Sequence, residues 1–368
     1  MEKLIVFGGT FDPVHNGHLR LAYAASMRFG AEVVFVPNRA PRWKKPEARA
    51  EDRLAMLKAA LKEQGSPGLS MDLFEYKSEA EVNYTIDTVR YFARKYPNRQ
   101  LFLLIGADQV DSFDKWKDAE ELAKIATPLY VSRPDFEIDE ANVNRFKMVR
   151  LSYDKAGEVS SSKVRELHSL DIPNSVISYI EEHGLYYIAK LKEYLSDKRL
   201  SHSISVAKTA FEIAKRNDIH EPARAYIAGL LHDMGKELPI DKQRAIVGEY
   251  YPDYLDMPGW AYHQFVGAHL AKSDFAIGDD EIIDAISFHA TGKKHMTPLG
   301  KIIYAADKIE PTRGYDSRPL IRKCIKNYYV GFVAVLEENM AFLSQKGQNM
   351  NSNRLTRECV EMYLGADR

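Results

Sequence analysis

Two groups of side chains in this sequence have the types and spacing that phosphate chemistry needs. The first runs Gly8-Gly9-Thr10-Phe11-Asp12-Pro13 and continues, after one valine, as His15-Asn16-Gly17-His18. Glycines at the end of a strand let backbone N–H groups approach an anion, and a following helix adds its positive end. His15 and His18 are three residues apart, so both imidazoles can face one phosphate and stabilise charge that develops on a transferring phosphorus.

The second group consists of histidines and aspartates scattered over the C-terminal half: His202, His232-Asp233, His263, His289 and Asp307. Neutral imidazoles with carboxylates suit Fe²⁺, Mn²⁺ or Zn²⁺. Water on such an ion is acidified and can attack phosphorus. A single His-Asp pair is structural in most sequences. Here an apolar run precedes Asp307 and indicates a buried carboxylate, which needs a compensating charge such as a metal.

Alternating strands and helices are predicted to position the first group. Short apolar runs predict strands, and amphipathic runs between them predict helices. This alternation indicates a parallel sheet with helices on both faces, a Rossmann-like α/β fold. The glycine run has neither the Walker nor the G-x-G-x-x-G pattern, which disfavours a dinucleotide dehydrogenase. The predicted strands are Leu4–Phe7, Glu32–Val36, Leu101–Ile105 and Leu129–Val131, and the helices are His18–Phe29, Ala48–Gln64, Thr85–Lys95, Ala119–Lys124 and Pro173–His183.

After about residue 190 the pattern predicts helices alone, and seven of the eleven histidines lie there. The sequence therefore predicts two domains, residues 1–189 and an all-α domain of residues 190–368. Prolines and glycines at Leu238–Gly259 predict a loop. The oligomeric state stays open, and apolar residues of a long predicted helix are candidates for pairing two copies. The predicted helices are His202–Lys215, Glu221–His232, Phe265–Lys272, Asp280–His289, Pro298–Lys308 and Ile321–Leu343, with Val330, Phe332 and Val335 on the last.

Composition narrows the classes of function. The chain has 368 residues, a formal charge of −1 and a sequence pI near 6.8. A dedicated nucleic-acid binder needs a large basic surplus, so no nucleic-acid partner is expected. No stretch approaches the roughly 20 apolar residues of a membrane span. Two cysteines cannot form a disulfide framework, and we expect a reducing, cytoplasmic location.

The first group resembles the (H/T)-x-G-H signature of the nucleotidyltransferase superfamily. Further residues, in order along the chain, make the N-terminal half similar to bacterial nicotinate mononucleotide adenylyltransferase, from about Lys3 to Tyr186. They are the basic loop Arg39, Arg42, Lys44 and Lys45 after Pro37-Asn38, then Tyr84-Thr85, Gly106-Ala107-Asp108, Lys115-Trp116 and Ser160-Ser161-Ser162-Lys163-Val164-Arg165.

The resemblance implies transfer of AMP from ATP to nicotinate mononucleotide with Mg²⁺, and the preference for nicotinate over nicotinamide rests on it alone. It implies that His15, His18, Lys44 and Arg165 are catalytic. Thr85, Gly106, Asp108 and Trp116 would line the pyridine-nucleotide pocket. The ATP site would comprise Gly8, Gly9, Thr10, Phe11, His15, His18, Lys44, Ser161, Ser162 and Arg165.

The second group resembles the HD phosphohydrolase superfamily. Arg199-Leu200-Ser201-His202, His232-Asp233-Met234-Gly235-Lys236 and the block from Lys301 to Arg313 are most similar to small HD proteins that hydrolyse diadenosine tetraphosphate into two ADP. The resemblance implies that iron or manganese binds His202, His232, Asp233 and Asp307, with Asp233 also catalytic. His263 and His289 would hold a phosphate or a second ion, and Lys236 and Arg313 would offset polyphosphate charge. A (deoxy)nucleotide phosphatase and a non-catalytic nucleotide-binding regulatory module remain alternatives.

Overall fold

The computed structural model describes residues 2–39, 41, 45–78, 82–131, 138, 140–152, 159–345 and 353–365. The chain divides into two compact units, Met1–Tyr186 and Tyr187–Arg368. We call them the front unit and the rear unit. The division falls after residue 186, whereas the sequence predicts it after residue 189.

A six-stranded parallel sheet in the order β3-β2-β1-β4-β5-β6 forms the centre of the front unit. The first strand is buried on both faces, because Leu4, Ile5 and Val6 are at most 1% exposed. The strand order reverses between β1 and β4, and loops leaving these two strands separate there to form a crevice at the carboxyl edge. The strands are β1 Lys3–Gly9, β2 Glu32–Pro37, β3 Leu69–Met71, β4 Gln100–Gly106, β5 Ala126–Val131 and β6 Val149–Leu151.

Helices connect these strands and pack on the sheet. Apolar residues of β1, β2 and β4 pack with Ile86, Val89 and Phe92 in one core cluster. Three of the helices end at a glycine with a left-handed backbone, which residues with a Cβ adopt less readily. The front helices are α1 Asn16–Phe29, α2 Ala50–Gln64, α3 Phe74–Lys77, α4 Thr85–Lys95, α5 Ala119–Ile125, α6 Glu140–Arg145, α7 Ser161–Arg165 and α8 Asn174–His183, with 3-10 turns at Ala107–Gln109 and Phe113–Lys115.

Helices are the only regular secondary structure among the described residues of the rear unit. Its central helix α15 is buried almost all round, with Ile302, Ile303 and Ala306 at most 1% exposed. This helix packs against α10 and α11, which pack closely on each other. The helices are α9 Tyr187–Leu191, α10 Asp197–Arg216, α11 Ala223–Leu231, α12 Ile240–Tyr250, α13 Tyr262–Ser273, α14 Asp280–Ser287, α15 Pro298–Ile309, α16 Arg318–Lys326, α17 Tyr328–Gln345 and α18 Arg354–Leu364, with 3-10 turns at Pro252–Tyr254, Gly259–Ala261 and Pro311–Arg313.

The predicted fold class, an α/β domain followed by an all-α domain, is confirmed, but several elements differ from the predictions. The outer strands β3 and β6 were not predicted. The predicted loop Leu238–Gly259 is wrong over α12, which starts directly after Pro239. The predicted helix Ile321–Leu343 is interrupted at Asn327, and its Phe332 and Val335 are buried inside the rear unit. In the part of the chain described, no helix is both long enough and apolar enough to cross a bilayer.

Both cysteines of the chain lie in the rear unit, Cys324 on α16 and Cys359 on α18. Each is completely buried as a free thiol. Burial raises the pKa of each thiol to about 12. Both are therefore packed as small apolar groups and stay protonated near neutral pH.

Candidate active sites

The predicted nucleotide-binding residues of the front unit gather at the carboxyl edge of its sheet. Gly8 and Gly9 are the last residues of β1 and pair with Val36 and Pro37. Gly106 ends the neighbouring strand β4. The crevice between these strand ends is the position at which open parallel sheets bind their ligands.

The two predicted histidines lie together at the start of α1. Their rings stack with centroids 3.6 Å apart, and Phe11 packs edge-on against His18 with the centroids 5.1 Å apart. The backbone N–H of His15 donates to Nδ1 of His18 over 3.2 Å. A neutral ring that accepts at Nδ1 carries its proton on Nε2. His18 is therefore oriented to present an Nε2–H donor, the form that suits a phosphate oxygen.

Helix α7 is fastened to the loop between β1 and α1. The Ser161 hydroxyl donates to the Pro13 carbonyl over 2.9 Å, and Arg165 Nη1 donates to the Asp12 carbonyl over 2.7 Å. The Ser162 hydroxyl lies 3.0 Å from that of Ser160. Residues separated by about 150 positions are thus joined at one place. Of the predicted ATP site, only Lys44 lies outside the described residues.

Two buried charged residues without a predicted role, Asp12 and Arg53, fix the shape of this loop. The Asp12 carboxylate is 2% exposed and accepts from the backbone N–H groups of Glu47 and Ala48 and from the Tyr186 hydroxyl. Arg53 is also 2% exposed. Its guanidinium donates to three backbone carbonyls, those of Thr10 at 2.6 Å and of Asn38 and Arg39, both at 2.8 Å.

The predicted pyridine-nucleotide residues lie on the β4 side of the crevice. The Asp108 carboxylate folds back over Gly106, where a Cβ would come within 2.5 Å of Oδ1 and clash. Thr85 is the first residue of α4, directly after Tyr84. Trp116 packs on Phe113 with the ring centroids 5.0 Å apart, and Lys117 next to it lies 4.2 Å from the Tyr84 ring centroid. These contacts bring the Trp116 and Thr85 segments to one region.

The four predicted metal ligands of the rear unit converge from three helices. His202 is on α10, His232 and Asp233 directly follow α11, and Asp307 is on α15. Nε2 of His202 lies 3.2 Å from Asp307 Oδ1, and Nε2 of His232 lies 3.6 Å from the same oxygen. Asp233 Oδ2 lies 3.8 Å from the first of these nitrogens and 3.5 Å from the second.

Hydrogen bonds on the far side of the rings set the tautomers of both ligand histidines. Nδ1 of His202 is 3.0 Å from a Glu310 carboxylate oxygen, and Nδ1 of His232 is 2.7 Å from the Gly229 carbonyl. Both partners can only accept, so each Nδ1 carries the proton. The two Nε2 atoms are buried without a hydrogen-bond partner among the described residues. In the neutral form of each ring Nε2 carries a lone pair, and two such nitrogens with two carboxylates suit a divalent cation.

His263 and His289 adjoin this cluster on the other side of Asp233. Their Nδ1 atoms lie 2.7 and 2.8 Å from the carbonyls of Trp260 and Ile286, and their Nε2 atoms are 3.1 Å apart. Both Nε2 atoms face Asp233 Oδ1, at 3.4 and 3.6 Å. Burial, together with the charges of His289 and Lys236, lowers the pKa of His263 to about 3. Asp233 thus lies between two histidine pairs, and its two oxygens face different pairs.

The carboxylates stay ionised although they are buried. Burial alone would raise their pKa values, but the neighbouring imidazoles and, at Asp307, the Lys308 ammonium hold the pKa of each carboxyl well below its usual range. His202, His232 and Asp233 could hold one ion, and Asp233 with His263 and His289 could hold another. The donor set of imidazoles and carboxylates fits a divalent transition-metal ion.

Cations surround the cluster. Lys236 Nζ lies 3.3 Å from the His263 ring nitrogens, and Arg313 donates to the Asp307 carboxylate and, over 2.8 Å, to its carbonyl. Arg199 Nη1 lies 2.8 Å from Asp233 Oδ2. Arg199, Lys308 and Glu310 were not assigned roles from the sequence. Each had a signal in the sequence: Lys308 and Glu310 lie in the block from Lys301 to Arg313, and Arg199 lies three residues before His202 and so shares its helix face.

Two known families match the chain, one on each side of the division between the two units. Residues 6–167 match the cytidylyltransferase-like family, and residues 199–312 match the HD domain. A Mycoplasma genitalium protein named "Probable nicotinate-nucleotide adenylyltransferase/Ap4A hydrolase" is 33% identical over 315 residues, which are 85% of this chain and 88% of that protein. A Mycoplasma pneumoniae protein of the same name is 31% identical over 347 residues, covering 90% of this chain and 98% of its own.

The front unit also has single-domain relatives. Bacillus subtilis "Nicotinate-nucleotide adenylyltransferase" is 37% identical over 195 residues, which are 50% of this chain and 99% of that protein. The two Mycoplasma relatives, in contrast, align with both units. The chain therefore belongs to the two-domain family whose members carry the name nicotinate-nucleotide adenylyltransferase/Ap4A hydrolase.

Proposed function

We propose that the chain is a bifunctional enzyme. The front unit transfers AMP from ATP to nicotinate mononucleotide and releases pyrophosphate, and the rear unit hydrolyses diadenosine tetraphosphate to two ADP. The names of relatives that align with both units support this assignment. For the rear unit, the main support is that the Nε2 atoms of His202 and His232 are buried without a hydrogen-bond partner among the described residues and face two ionised carboxylates.

In the front unit, the phosphate of nicotinate mononucleotide would attack the α-phosphorus of ATP, and the bond to pyrophosphate would break. The chain supplies position and charge rather than a covalent intermediate. We assign His15, His18, Lys44 and Arg165 to the triphosphate, within an ATP site bounded by Gly8–Phe11, Ser161 and Ser162. Thr85, Gly106, Asp108 and Trp116 would bind nicotinate mononucleotide. Mg²⁺ would neutralise the leaving pyrophosphate.

In the rear unit, His202, His232, Asp233 and Asp307 would hold iron or manganese. When bound, the metal supplies an acidified water as the nucleophile. His263, His289, Lys236 and Arg313 would bind the polyphosphate, and Asp233 would orient the water through its second oxygen. Attack at an inner phosphorus breaks the central P–O–P bridge and leaves two ADP. We also propose a cytoplasmic location, which the two reduced cysteines support. The proposed domain limits are residues 1–189 and 190–368.

Product analysis on the intact chain tests both halves. His18→Ala should abolish formation of nicotinate adenine dinucleotide and leave ADP production from diadenosine tetraphosphate unchanged. Asp233→Ala should do the reverse, which makes the two variants controls for each other. Loss of both activities in either variant would contradict independent sites.

Substrate and metal measurements separate the alternatives for the rear unit. Release of free phosphate from (deoxy)nucleoside monophosphates, with no cleavage of diadenosine tetraphosphate, would favour a phosphatase. Tight nucleotide binding without turnover would favour a regulatory module. His232→Ala and Asp233→Ala should each lower the metal content of the purified protein, and unchanged content in both would refute the proposed ligands.

A further inference from the structure

Glu310 is a buried carboxylate at the end of α15, immediately before the 3-10 turn Pro311–Arg313. Its side chain is 1% exposed. Oε1 accepts from Nδ1 of His202 at 3.0 Å and from the Thr312 hydroxyl at 2.7 Å, while Oε2 accepts from the Thr312 backbone N–H at 2.7 Å. These three contacts come from donors, and together they hold the carboxylate in one orientation.

These contacts link Glu310 to two of the proposed metal ligands. Glu310 holds one nitrogen of His202, and the other nitrogen faces Asp307. Asp307 in turn accepts from Arg313, which belongs to the turn that the Glu310 side chain caps. One carboxylate is therefore linked both to a metal ligand and to the turn carrying a phosphate-binding arginine.

We propose that Glu310 is a positioning residue that fixes His202 in the Nδ1–H tautomer and thereby keeps its Nε2 lone pair directed at the metal. The inference rests on the proposed metal site, because it concerns how one of the proposed ligands is prepared. A ligand histidine whose other nitrogen donates to a carboxylate is held in its tautomer and ring orientation and becomes a better donor to the metal. The tautomer of His232 is set by a backbone carbonyl, which no side-chain substitution removes. The tautomer of His202 is set by Glu310, which a substitution can change.

The geometry makes glutamine an informative replacement. The Thr312 backbone N–H is a fixed donor, so it requires an oxygen at the Oε2 position. A glutamine that satisfies this donor must place its NH₂ group at the Oε1 position, opposite His202. The NH₂ group then donates to Nδ1, and the imidazole proton moves to Nε2. Glu310→Gln therefore keeps the size and packing of the side chain while reversing the tautomer of His202.

Two readouts on the full-length protein test the proposal. In metal-free protein with ¹⁵N-labelled histidine, the nitrogen shifts of His202 should indicate Nδ1–H in the wild type and Nε2–H in Glu310→Gln. Titration with Mn²⁺ should show binding weakened by about 10–100-fold in the variant. Glu310→Ala should give a mixture of tautomers and an intermediate affinity. Thr312→Val, which removes only the hydroxyl and keeps the backbone donor, should keep the wild-type tautomer and affinity.

The outcomes distinguish the two proposals. The His232 ring should remain Nδ1–H in every variant and provides an internal reference. Glu310→Gln with the wild-type tautomer and Mn²⁺ affinity would overturn the role of Glu310, because a residue that only fills space tolerates this isosteric change. If the wild type binds no Mn²⁺ or iron, the proposed metal site fails. A reversed His202 tautomer in the variant would still support the positioning role.

Discussion

Replacing Arg53 by methionine should loosen the nucleotide crevice of the front unit. The Arg53 guanidinium, 2% exposed, joins the end of β1 to the end of β2 through carbonyls of Thr10, Asn38 and Arg39. Methionine fills much of the volume but donates nothing. Three carbonyls would lose a charged donor, and the two strand ends could move independently.

The magnitude follows from the contacts. A hydrogen bond to a charged group contributes about 1.5–3 kcal/mol, so three contribute roughly 5–9 kcal/mol before the cost of burying the cation. Burying an ion costs several kcal/mol, as its lowered pKa also indicates. We expect the free energy of unfolding of the front unit to fall by about 2–4 kcal/mol. Because Thr10 belongs to the proposed ATP site, KM for ATP should rise at least tenfold, with a smaller effect on kcat.

Denaturant unfolding and initial rates of nicotinate adenine dinucleotide formation measure both effects. Arg94→Met is the matched control, because Arg94 lies in the last turn of α4 with its side chain exposed. It should change neither quantity measurably. Arg53→Lys should be intermediate, since one ammonium cannot reproduce the planar fork. An Arg53→Met enzyme with wild-type unfolding and wild-type KM for ATP would refute the reasoning.

Three further outcomes are expected. In Gly229→Ala the new Cβ would lie 2.8 Å from the Ala207 backbone, so α10 and α11 must separate. The free energy of unfolding of the rear unit, measured with denaturant, should fall by about 1–3 kcal/mol. The variant should also bind Mn²⁺ more weakly. Burial raises the pKa of the Glu75 carboxyl in the folded protein, despite the Thr88 hydrogen bond. The wild type therefore loses stability relative to Glu75→Gln as pH rises above 4.5, the pKa of the carboxyl in the unfolded chain. The difference should grow by about 1.4 kcal/mol per pH unit until the folded pKa is passed. Arg199→Met should raise KM for diadenosine tetraphosphate more than it changes kcat in steady-state assays.

Each of these has a control or a contrary result. Gly278→Ala should be neutral, because a Cβ there meets nothing within 4 Å. A stability difference between Glu75→Gln and the wild type that is the same at pH 4 and pH 8 would show that the Glu75 carboxyl has an ordinary pKa. Arg216→Met, on the same helix as Arg199 but 64% exposed, should leave KM unchanged. An unchanged KM in Arg199→Met would mean that Arg199 serves Asp233 alone.

The sequence predicted the elements whose patterns are strong and local. The four predicted strands contain uninterrupted apolar runs, and they form the inner part of the sheet. The missed strands β3 and β6 have three residues each and carry Ser70 and Arg150 at their centres, so they lack an apolar run. Helix α12 was missed because Pro239 and Pro252 were interpreted as loop signals, whereas they bound the helix at its two ends.

The site residues divide in the same way. Histidines and aspartates within short motifs could be singled out from the sequence, and the structure brings His202, His232, Asp233 and Asp307 together. Glu310 contacts His202 across 108 positions, and no local pattern indicates that contact. Arg53 acts through backbone carbonyls, which every residue has, so its partners leave no trace in residue types.

The distribution of the thiols allows one half of the chain to be observed in the presence of the other. An alkylating reagent can reach neither Cys324 nor Cys359 while the helices around them are closed, and reaction also requires loss of a firmly held proton. The rate of labelling in the intact chain therefore follows transient opening of α16 and α18. The adenylyltransferase half has no cysteine and so contributes nothing to the labelling directly. Nucleotide binding to that half would change the labelling rate only by changing how often α16 and α18 open in the hydrolase half.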